Sequence, residues 1–241
     1  SQLPNTSYLM DDGTPLLSRV NDLISVSPEK VLDLLASPAM IAIARDLSGP
    51  NTIPLQCDAL IKHPHPESVV LWHQDAVHPR TFPYLNIGIY LDDAEQGDGC
   101  LKYVKGSQRE KLDVCELAKK HGWDIPESVE VPVKAGDVLI QDMMVLHGSR
   151  KKLNPGVRRT IYVEMRSSEA EVEHQVHSNQ WIELRRRWMG IFARRSSTVW
   201  PEVTHGILPS DLKSDPEEIE ALLQLRESPI PANYCFEGMN K

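Results

Sequence analysis

Short apolar runs, separated at close intervals by glycine and proline, fill the middle of the chain and predict a protein built mainly from β-strands. The predicted strands begin near Thr52 and continue through Leu60-Ile61, Val69-Val70-Leu71, Leu85 to Leu91, Val129 to Val133, Val138 to Ile140 and Thr160 to Met165. Because the interruptions recur so often, the pattern favours a sandwich or jelly roll over a parallel sheet with crossover helices.

Helices are expected on both sides of these strands. In the first fifty residues, apolar side chains recur at helical spacing at Leu16, Leu17, Val20, Leu23 and Ile24. Ser27-Pro28 and Ser37-Pro38 each have the form of a cap followed by proline in the first helical turn, and Gly49-Pro50 ends the second helix. We therefore expect a helical part over residues 14–49, a β-core over 52–168 and a helical extension over 174–241, all in one domain spanning 1–241.

Two segments outside the strands allow two interpretations each. Residues 107–127 include a helical piece over Glu116 to His121, which is either a substrate lid or packing on the outer surface of the core. Residues 178–195 form an amphipathic helix with Trp181, Leu184, Trp188, Ile191 and Phe192 on one stripe. Its arginines at 185, 186, 187, 194 and 195 favour a solvated face over an anion site.

Composition narrows the function classes. The formal net charge of −8 argues against nucleic acid as the main partner, and no apolar run approaches the length of a membrane span. No signal-peptide pattern opens the chain, which begins with Ser1. The four cysteines show no paired spacing, so Cys57, Cys100, Cys115 and Cys235 are expected to be free thiols in a reducing, cytoplasmic compartment. The oligomeric state stays open.

Three residues predict a metal site. His73 and Asp75 are two positions apart, so on a strand both side chains leave from one face. His147 must then come from a strand beside the first, and Val138 to Ile140 is expected to supply it. Two imidazoles and one carboxylate form the facial set that holds non-haem Fe(II) with three coordination positions open. A lone His-x-carboxylate pair would be weak evidence, since His65-Pro66-Glu67 also fits it.

The motifs around these ligands resemble the phytanoyl-CoA dioxygenase family, in order and spacing, from about Gln56 to Arg166. They are Leu71 to Asp75, Leu91-Asp92-Asp93, Asp98 to Gln108, Ala135 to Leu139, His147-Gly148-Ser149 and Arg158-Arg159. The resemblance implies a double-stranded β-helix of the jelly-roll, cupin-like type. It also implies an enzyme that uses Fe(II), 2-oxoglutarate and O2 to hydroxylate a small organic substrate, with release of succinate and CO2. The family's related halogenases have a small residue at position 75, so Asp75 implies hydroxylation or another oxidation.

The resemblance also implies roles for residues around the metal. Arg158 is placed to bind the remote carboxylate of 2-oxoglutarate, and Thr160 shares its strand face. Arg159 points the other way in a regular strand, although a bulge would exchange the two arginines. Asn86 and Lys62 are further cofactor-binding candidates. His78, Arg80 and Tyr90 are substrate-binding candidates, and His78 and Arg80 could equally be exposed loop residues.

Two other function classes stay open at this stage. The first is a metal-dependent barrel enzyme that does not use 2-oxoglutarate, and the second is a non-catalytic binding protein on the same scaffold. Family members act on chemically diverse molecules, so the fold and metal do not identify the substrate.

Overall fold

Two antiparallel sheets form the body of the protein. The computed structural model describes residues 5–49, 51–196, 217, 220, 223–225, 227 and 230–235. The strands are β1 (Thr6–Asp11), β2 (Thr14–Val20), β3 (Thr52–Lys62), β4 (Val70–Gln74), β5 (Tyr84–Tyr90), β6 (Leu101–Val104), β7 (Ser128–Val131), β8 (Val138–Asp142), β9 (His147–Ser149), β10 (Arg158–Ser167) and β11 (Asn233–Tyr234). They form a six-stranded sheet, β1-β2-β3-β10-β5-β8, and a five-stranded sheet, β11-β4-β9-β6-β7. The predicted mainly-β jelly roll is confirmed.

The N-terminal residues depart from the sequence prediction. Residues 14–20, expected to be helical, form β2 of the hairpin β1–β2. Helical structure begins with a short 3-10 helix at Leu23–Ser25 and continues in α1 (Pro28–Leu35) and α2 (Pro38–Ile43). The turn explains the difference, because Asp12 and Gly13 have positive φ angles of 45° and 81°. This is the Asp-Gly combination that joins antiparallel strands tightly. The prediction for residues 14–20 is wrong because a short apolar run can fit either period.

Helices cover the outer face of the larger sheet. Alternate residues of β3, Ile53, Leu55 and Cys57, are buried in one core with α1, α2 and α5 (Asn179–Arg195). Because strand side chains alternate between faces, the residues between them face the space between the sheets. The predicted stripe of α5 is confirmed, with Trp188 and Phe192 completely buried.

The arginines of α5 differ in exposure, and not all of them lie on a solvated face. Arg185 is buried, and its guanidinium lies 4.7 Å from the ring centres of Trp181 and Trp188. Arg186 and Arg187 are partly exposed and lie within 4.0 Å of Glu183. Most of the helical extension predicted after residue 196 lies outside the described residues. No helix in the part of the chain that the structure describes is long and apolar enough to cross a membrane.

The excursion between β6 and β7 contains the predicted helix, α3 (Val114–His121). Val114 and Ala118 pack in a buried cluster with Trp72, on the outer side of the smaller sheet. Of the two interpretations of this segment, these contacts match packing on the outer surface of the core rather than a substrate lid. The cysteine prediction is partly wrong, because Cys115 on α3 forms a disulfide with Cys235, 120 positions away, while Cys57 and Cys100 are free. Cys235 reaches α3 because β11 pairs with the edge strand β4.

Removal of this disulfide is expected to destabilise the protein. Cys115→Ser should lower the free energy of unfolding by about 3 kcal/mol, because the crosslink restricts a long loop of the unfolded chain. Urea denaturation measures the change. Wild type in dithiothreitol should unfold like the variant, and the variant should be insensitive to the reductant. Equal stability of oxidised wild type and Cys115→Ser would contradict the expectation.

Candidate metal centre

The two histidines of the predicted site lie on neighbouring strands. His73 of β4 and His147 of β9 are direct partners across the antiparallel pair. The prediction that His147 lies on a strand beside His73 is therefore confirmed, but the segment predicted to form that strand was wrong. Val138 to Ile140 belongs to β8, which pairs with β5 in the other sheet. The chain crosses from one sheet to the other between β8 and β9, and residues 143–146 make that crossing.

His73, Asp75 and His147 converge on one point. Their potential ligand atoms all lie within 4.8 Å of one another. Nε2 of His73 is 3.1 Å from Oδ1 of Asp75, and Nε2 of His147 is 3.6 Å from Oδ2 of Asp75. The three donor atoms thus surround a space of the size that a divalent metal ion fills.

Backbone carbonyls orient both imidazoles. Nδ1 of His73 lies 2.7 Å from the carbonyl oxygen of Leu71, and Nδ1 of His147 lies 2.9 Å from that of Val145. A proton on Nδ1 that donates to a carbonyl leaves Nε2 with its lone pair, directed at the shared point. The ring of Tyr234 stacks on His73 with 4.1 Å between centres and further restricts its rotation.

The charges of the site suit a cation. Burial and the neighbouring His73 lower the pKa of His147 to about 4, so the imidazole is neutral at pH 7. Burial opposes ionisation of Asp75, but contacts with His147 and His73 outweigh it and hold the pKa of Asp75 well below its usual range. A neutral His147 beside an ionised Asp75 matches the protonation states that metal binding requires.

Two amides hold the carboxylate of Asp75. Nδ2 of Asn86 donates to Oδ2 of Asp75 at 3.1 Å, and Nε2 of Gln141 donates to the same oxygen at 2.9 Å. The hydroxyl of Tyr103 donates to Oε1 of Gln141, which orients that amide. Asn86 was a sequence candidate for cofactor binding, and its hydrogen bond is to the metal-site carboxylate. The sequence analysis did not select Gln141, although the alternation of side chains along β8 indicates the face on which it lies.

A cavity of about 380 Å³ opens beside this cluster. The larger sheet contributes alternate residues of β3 and β10, and the smaller sheet contributes the two histidines. The lining residues are Arg19, Gln56, Asp58, Leu60, Val69, Val70, Leu71, His73, Asp75, Asn86, Leu101, His147, Ser149, Arg158, Tyr162, Glu164 and Tyr234. Tyr162 and Glu164 lie an even number of positions from Arg158 and so share its strand face, which the sequence could have indicated. Nothing in the sequence indicated Tyr234 as a lining residue, because it comes from a distant segment.

Arg158 faces this cavity with unsatisfied donors. It is 1% exposed, Nη1 donates to the carbonyl of Gly99, and Nε and Nη2 have no partner in the described parts of the chain. The hydroxyl of Thr160, on the same face, is also buried without a partner there. Arg159 points outward and pairs with Asp92 at 2.8 Å. The strand is regular here, since the register shift of β10 lies further on, between Val163 and Met165.

Lys62 lies beside Arg158 on the adjacent strand. Its Nζ donates to Oγ of Ser149 at 2.6 Å and is buried. Burial, with the charge of Arg158 next to it, lowers the pKa of Lys62 to about 6. An anion bound at Arg158 would relieve this repulsion. Lys62 is thus part of the surroundings of Arg158 rather than of the cavity wall.

The three substrate candidates lie away from the cavity wall. His78 is buried, with Nδ1 2.7 Å from the carbonyl oxygen of Pro79, and its ring packs edge-on against Tyr84. Arg80 is partly exposed and pairs with Asp142 at 3.0 Å. Tyr90 is buried, and its ring lies 5.8 Å from the guanidinium carbon of Arg158. Tyr90 therefore packs behind the arginine.

Comparison with known proteins agrees with this geometry. The sequence profile described as "Phytanoyl-CoA dioxygenase (PhyH)" matches residues 10–160, and the chain belongs to this family. A curated relative, the "Probable alpha-ketoglutarate-dependent hypophosphite dioxygenase" of Stutzerimonas stutzeri, is 27% identical over 162 residues. The match covers 60% of this chain and 52% of the relative, so the chain spans about half the relative's length.

Solved structures share the fold. AviO1 from Streptomyces viridochromogenes Tue57 is 33% identical with a TM-score of 0.59, over 70% of this chain and 76% of that one. EvdMO1 is 28% identical with a TM-score of 0.60, over 69% of this chain but 39% of the other. HygX from Streptomyces hygroscopicus, solved with nickel and 2-oxoglutarate bound, is 25% identical with a TM-score of 0.52, over 65% of this chain and 72% of that one. The family resemblance noted in the sequence is confirmed.

Proposed function

We propose that this protein is an Fe(II)- and 2-oxoglutarate-dependent dioxygenase that hydroxylates a C–H bond of a small organic substrate, releasing succinate and CO2. One observation carries the proposal. His73, Asp75 and His147 converge at a cavity whose wall also presents Arg158, with two donor nitrogens that have no partner among the described residues. The similarity to a probable alpha-ketoglutarate-dependent dioxygenase and to HygX with 2-oxoglutarate bound supports the same activity.

The residues fit ferrous iron. Two imidazoles and one carboxylate are its usual facial ligands, and they leave three positions for a co-substrate and dioxygen. When bound, the iron would supply the activation of dioxygen that an organic side chain cannot provide. Nδ1 of each histidine is turned to a backbone carbonyl, so no rotation is needed for Nε2 to bind the metal. Asp75 occupies one ligand position itself, which favours hydroxylation over halide transfer.

The role of Arg158 is to hold and orient 2-oxoglutarate. A guanidinium binds a carboxylate through two parallel hydrogen bonds, and Nε with Nη2 is one such edge. Both atoms are buried without partners among the described residues, and the hydroxyl of Thr160 is available beside them. An unpaired buried guanidinium is costly, so a ligand carboxylate would be bound strongly here.

An anaerobic titration tests the proposal. Fe(II) and 2-oxoglutarate added to the metal-free protein are expected to produce the visible metal-to-ligand charge-transfer band, saturating at about one iron per chain, as expected for the single facial site. Iron binding without the band would favour a metal enzyme that does not use 2-oxoglutarate. A folded protein that retains no iron would favour a non-catalytic binding protein. Either outcome would overturn the proposed activity.

We further propose that the protein acts on a free small molecule rather than on nucleic acid. The formal charge of −8 disfavours phosphate-rich partners. The cytoplasmic location was expected from free cysteines, and the Cys115–Cys235 disulfide argues against it, because disulfides are rare in reducing compartments. Alkylation of free thiols in intact cells, followed by mass spectrometry, tests the location. In a cytoplasmic protein, Cys115 and Cys235 are both expected to be alkylated. Complete absence of alkylation at these two cysteines would contradict this location.

A further inference from the structure

The cavity has a second polar end, opposite Arg158. Glu164 lies six residues along β10 from Arg158, on the same face, so the two side chains leave the strand about 20 Å apart. On the neighbouring strand, Glu164 is the direct partner of Asn86, whose amide holds the metal-site carboxylate Asp75. The metal centre therefore lies close to the Glu164 end of the cavity, and Arg158 lies at the other end of the same strand. A molecule oxidised at the metal would occupy the Glu164 end.

Glu164 has one carboxyl oxygen free for a ligand. Its Oε2 accepts a hydrogen bond from the hydroxyl of Tyr84 at 2.8 Å, while no described residue donates to Oε1. Burial, with the negative charges of Asp75 and Asp58 nearby, raises the pKa of Glu164 to about 8. A cation bound in the cavity would offset the repulsion that these carboxylates exert on one another.

The amide oxygen of Asn86, beside Glu164, is a second acceptor without a donor among the described residues. Its Nδ2 is committed to Asp75, which fixes the orientation of the amide and directs Oδ1 elsewhere. Asn86 is only 9% exposed, and its Oδ1 is buried without a partner among the described residues. Oε1 of Glu164 and Oδ1 of Asn86 are thus two acceptors, on adjacent strands that line the cavity, without donors among the described residues.

The other carboxylate of this wall is already used. Oδ2 of Asp58 accepts from Arg19 at 2.7 Å, and Oδ1 accepts from the backbone of Asp22 at 2.8 Å. A second cavity of about 400 Å³ adjoins the first and shares Arg19, Gln56, Asp58 and Glu164 with it. Its lining includes four acidic side chains, Asp22, Asp58, Glu164 and Glu227, against two arginines, Arg19 and Arg185. The balance of charge at this end favours a cationic ligand.

We propose that Glu164 and Asn86 form a substrate-recognition subsite that receives a protonated amine, so that the enzyme selects amine-bearing substrates. This inference rests on the proposed function, because it places the amine beside the metal centre. An ammonium group offers three donors for the two acceptors, and its positive charge would favour the ionised form of Glu164, which burial and the neighbouring carboxylates disfavour in the empty site. A neutral hydroxyl would satisfy only part of this arrangement, and an anion would be repelled.

Three ring compounds of similar size test the subsite. Cyclohexylamine, protonated at pH 7, is compared with neutral cyclohexanol and anionic cyclohexanecarboxylate by calorimetry, on anaerobic protein loaded with Fe(II) and 2-oxoglutarate. Cyclohexylammonium is expected to bind about tenfold or more tightly than cyclohexanol, and the carboxylate to bind most weakly. Undetectable binding of the ammonium compound, or equal affinity for all three, would overturn the proposal.

Variants assign the preference to Glu164. Glu164→Gln keeps the shape and removes the carboxyl group that can ionise beside an ammonium, and it is expected to bring the affinities for the amine and the alcohol within about twofold of each other. Glu164→Asp retains the charge and should retain part of the preference. Glu173→Gln, at a side chain that is 56% exposed on α4 (Ser168–His174), is the matched control and should behave as wild type. Unchanged amine preference in a folded Glu164→Gln would refute the assignment.

The charge-transfer band separates this test from that of the proposed function. Glu164→Gln is expected to form the band with Fe(II) and 2-oxoglutarate as wild type does, because Glu164 contacts neither the metal ligands nor Arg158 through a hydrogen bond. A normal band with no amine preference would reject the subsite alone. Absence of the band in wild type would reject the proposed activity, while amine binding could still be measured.

Discussion

Asp75→Ala is expected to lose iron binding and, with it, all turnover. Loss of an outer partner of a metal ligand typically costs about 10–100-fold in metal affinity, so loss of a direct carboxylate ligand should exceed about 100-fold. The carboxylate supplies the only negative charge among the three ligands, and it also accepts hydrogen bonds from Asn86 and Gln141. The two imidazoles alone would leave the charge of Fe(II) uncompensated in a buried site.

The fold should survive this change. An open catalytic site contributes less to folding than a closed structural one, and the main core lies on the opposite face of the larger sheet. Iron retained after anaerobic gel filtration is the measurement, with circular dichroism as the check on folding. Asp124→Ala, at a side chain that is 83% exposed, is the control and should bind iron normally. Wild-type iron content in Asp75→Ala would show that the metal ligands have been misassigned.

Arg158→Ala is expected to weaken 2-oxoglutarate binding by at least about 30-fold while iron binding persists. This corresponds to the roughly 2–5 kcal/mol lost when one partner of a buried, hydrogen-bonded charge pair is removed. Without Arg158, the co-substrate carboxylate would be buried with no positive partner and with only the neutral hydroxyl of Thr160 as a donor from this face of the strand. The neighbouring Lys62 keeps its bond to Ser149 and cannot supply a planar pair of donors. The dependence of the charge-transfer band on 2-oxoglutarate concentration gives the affinity.

The adjacent arginine offers a matched control. Arg159→Ala removes the same side chain one position along the strand, where it is 54% exposed and pairs with Asp92 on the outer surface. Its effect on 2-oxoglutarate affinity should be less than about twofold, because exposed ion pairs contribute little and act locally. Arg158→Lys should resemble Arg158→Ala, since a point charge lacks the two-pronged geometry. A larger loss in Arg159→Ala than in Arg158→Ala would reverse the assignment of the two arginines.

Features that depend on the period of one strand were readable from the sequence. His73 and Asp75 share a face because they are two positions apart, and Arg158 is inward while Arg159 is outward for the same reason. The stripe of α5 follows from a period of 3.6 residues in the same way. Each of these patterns lies within one element, where side-chain direction is set by the local backbone.

The choice of partner for each element was not readable, because pairing is a contact between distant residues. The strand beside His73 is β9 rather than β8, and nothing in the residues 138–149 by themselves indicates where the chain changes sheets. The hairpin β1–β2 was missed because its apolar spacing fits a helix as well, whereas the turn at Asp12-Gly13 and the pairing of β2 with β3 make it a strand. The turn and the strand pairing decided between two locally acceptable periods.

The same reason explains the missed residues of the site. Cys235 and Tyr234 reach α3 and His73 only because β11 completes the edge of the smaller sheet. Gln141 and Glu164 each have readable strand parity, but their distance from Asp75 depends on the register of β5 with β8 and β10. Strand periodicity thus indicated the candidate metal ligands and the face they occupy, while long-range pairing and register decided which other side chains surround them.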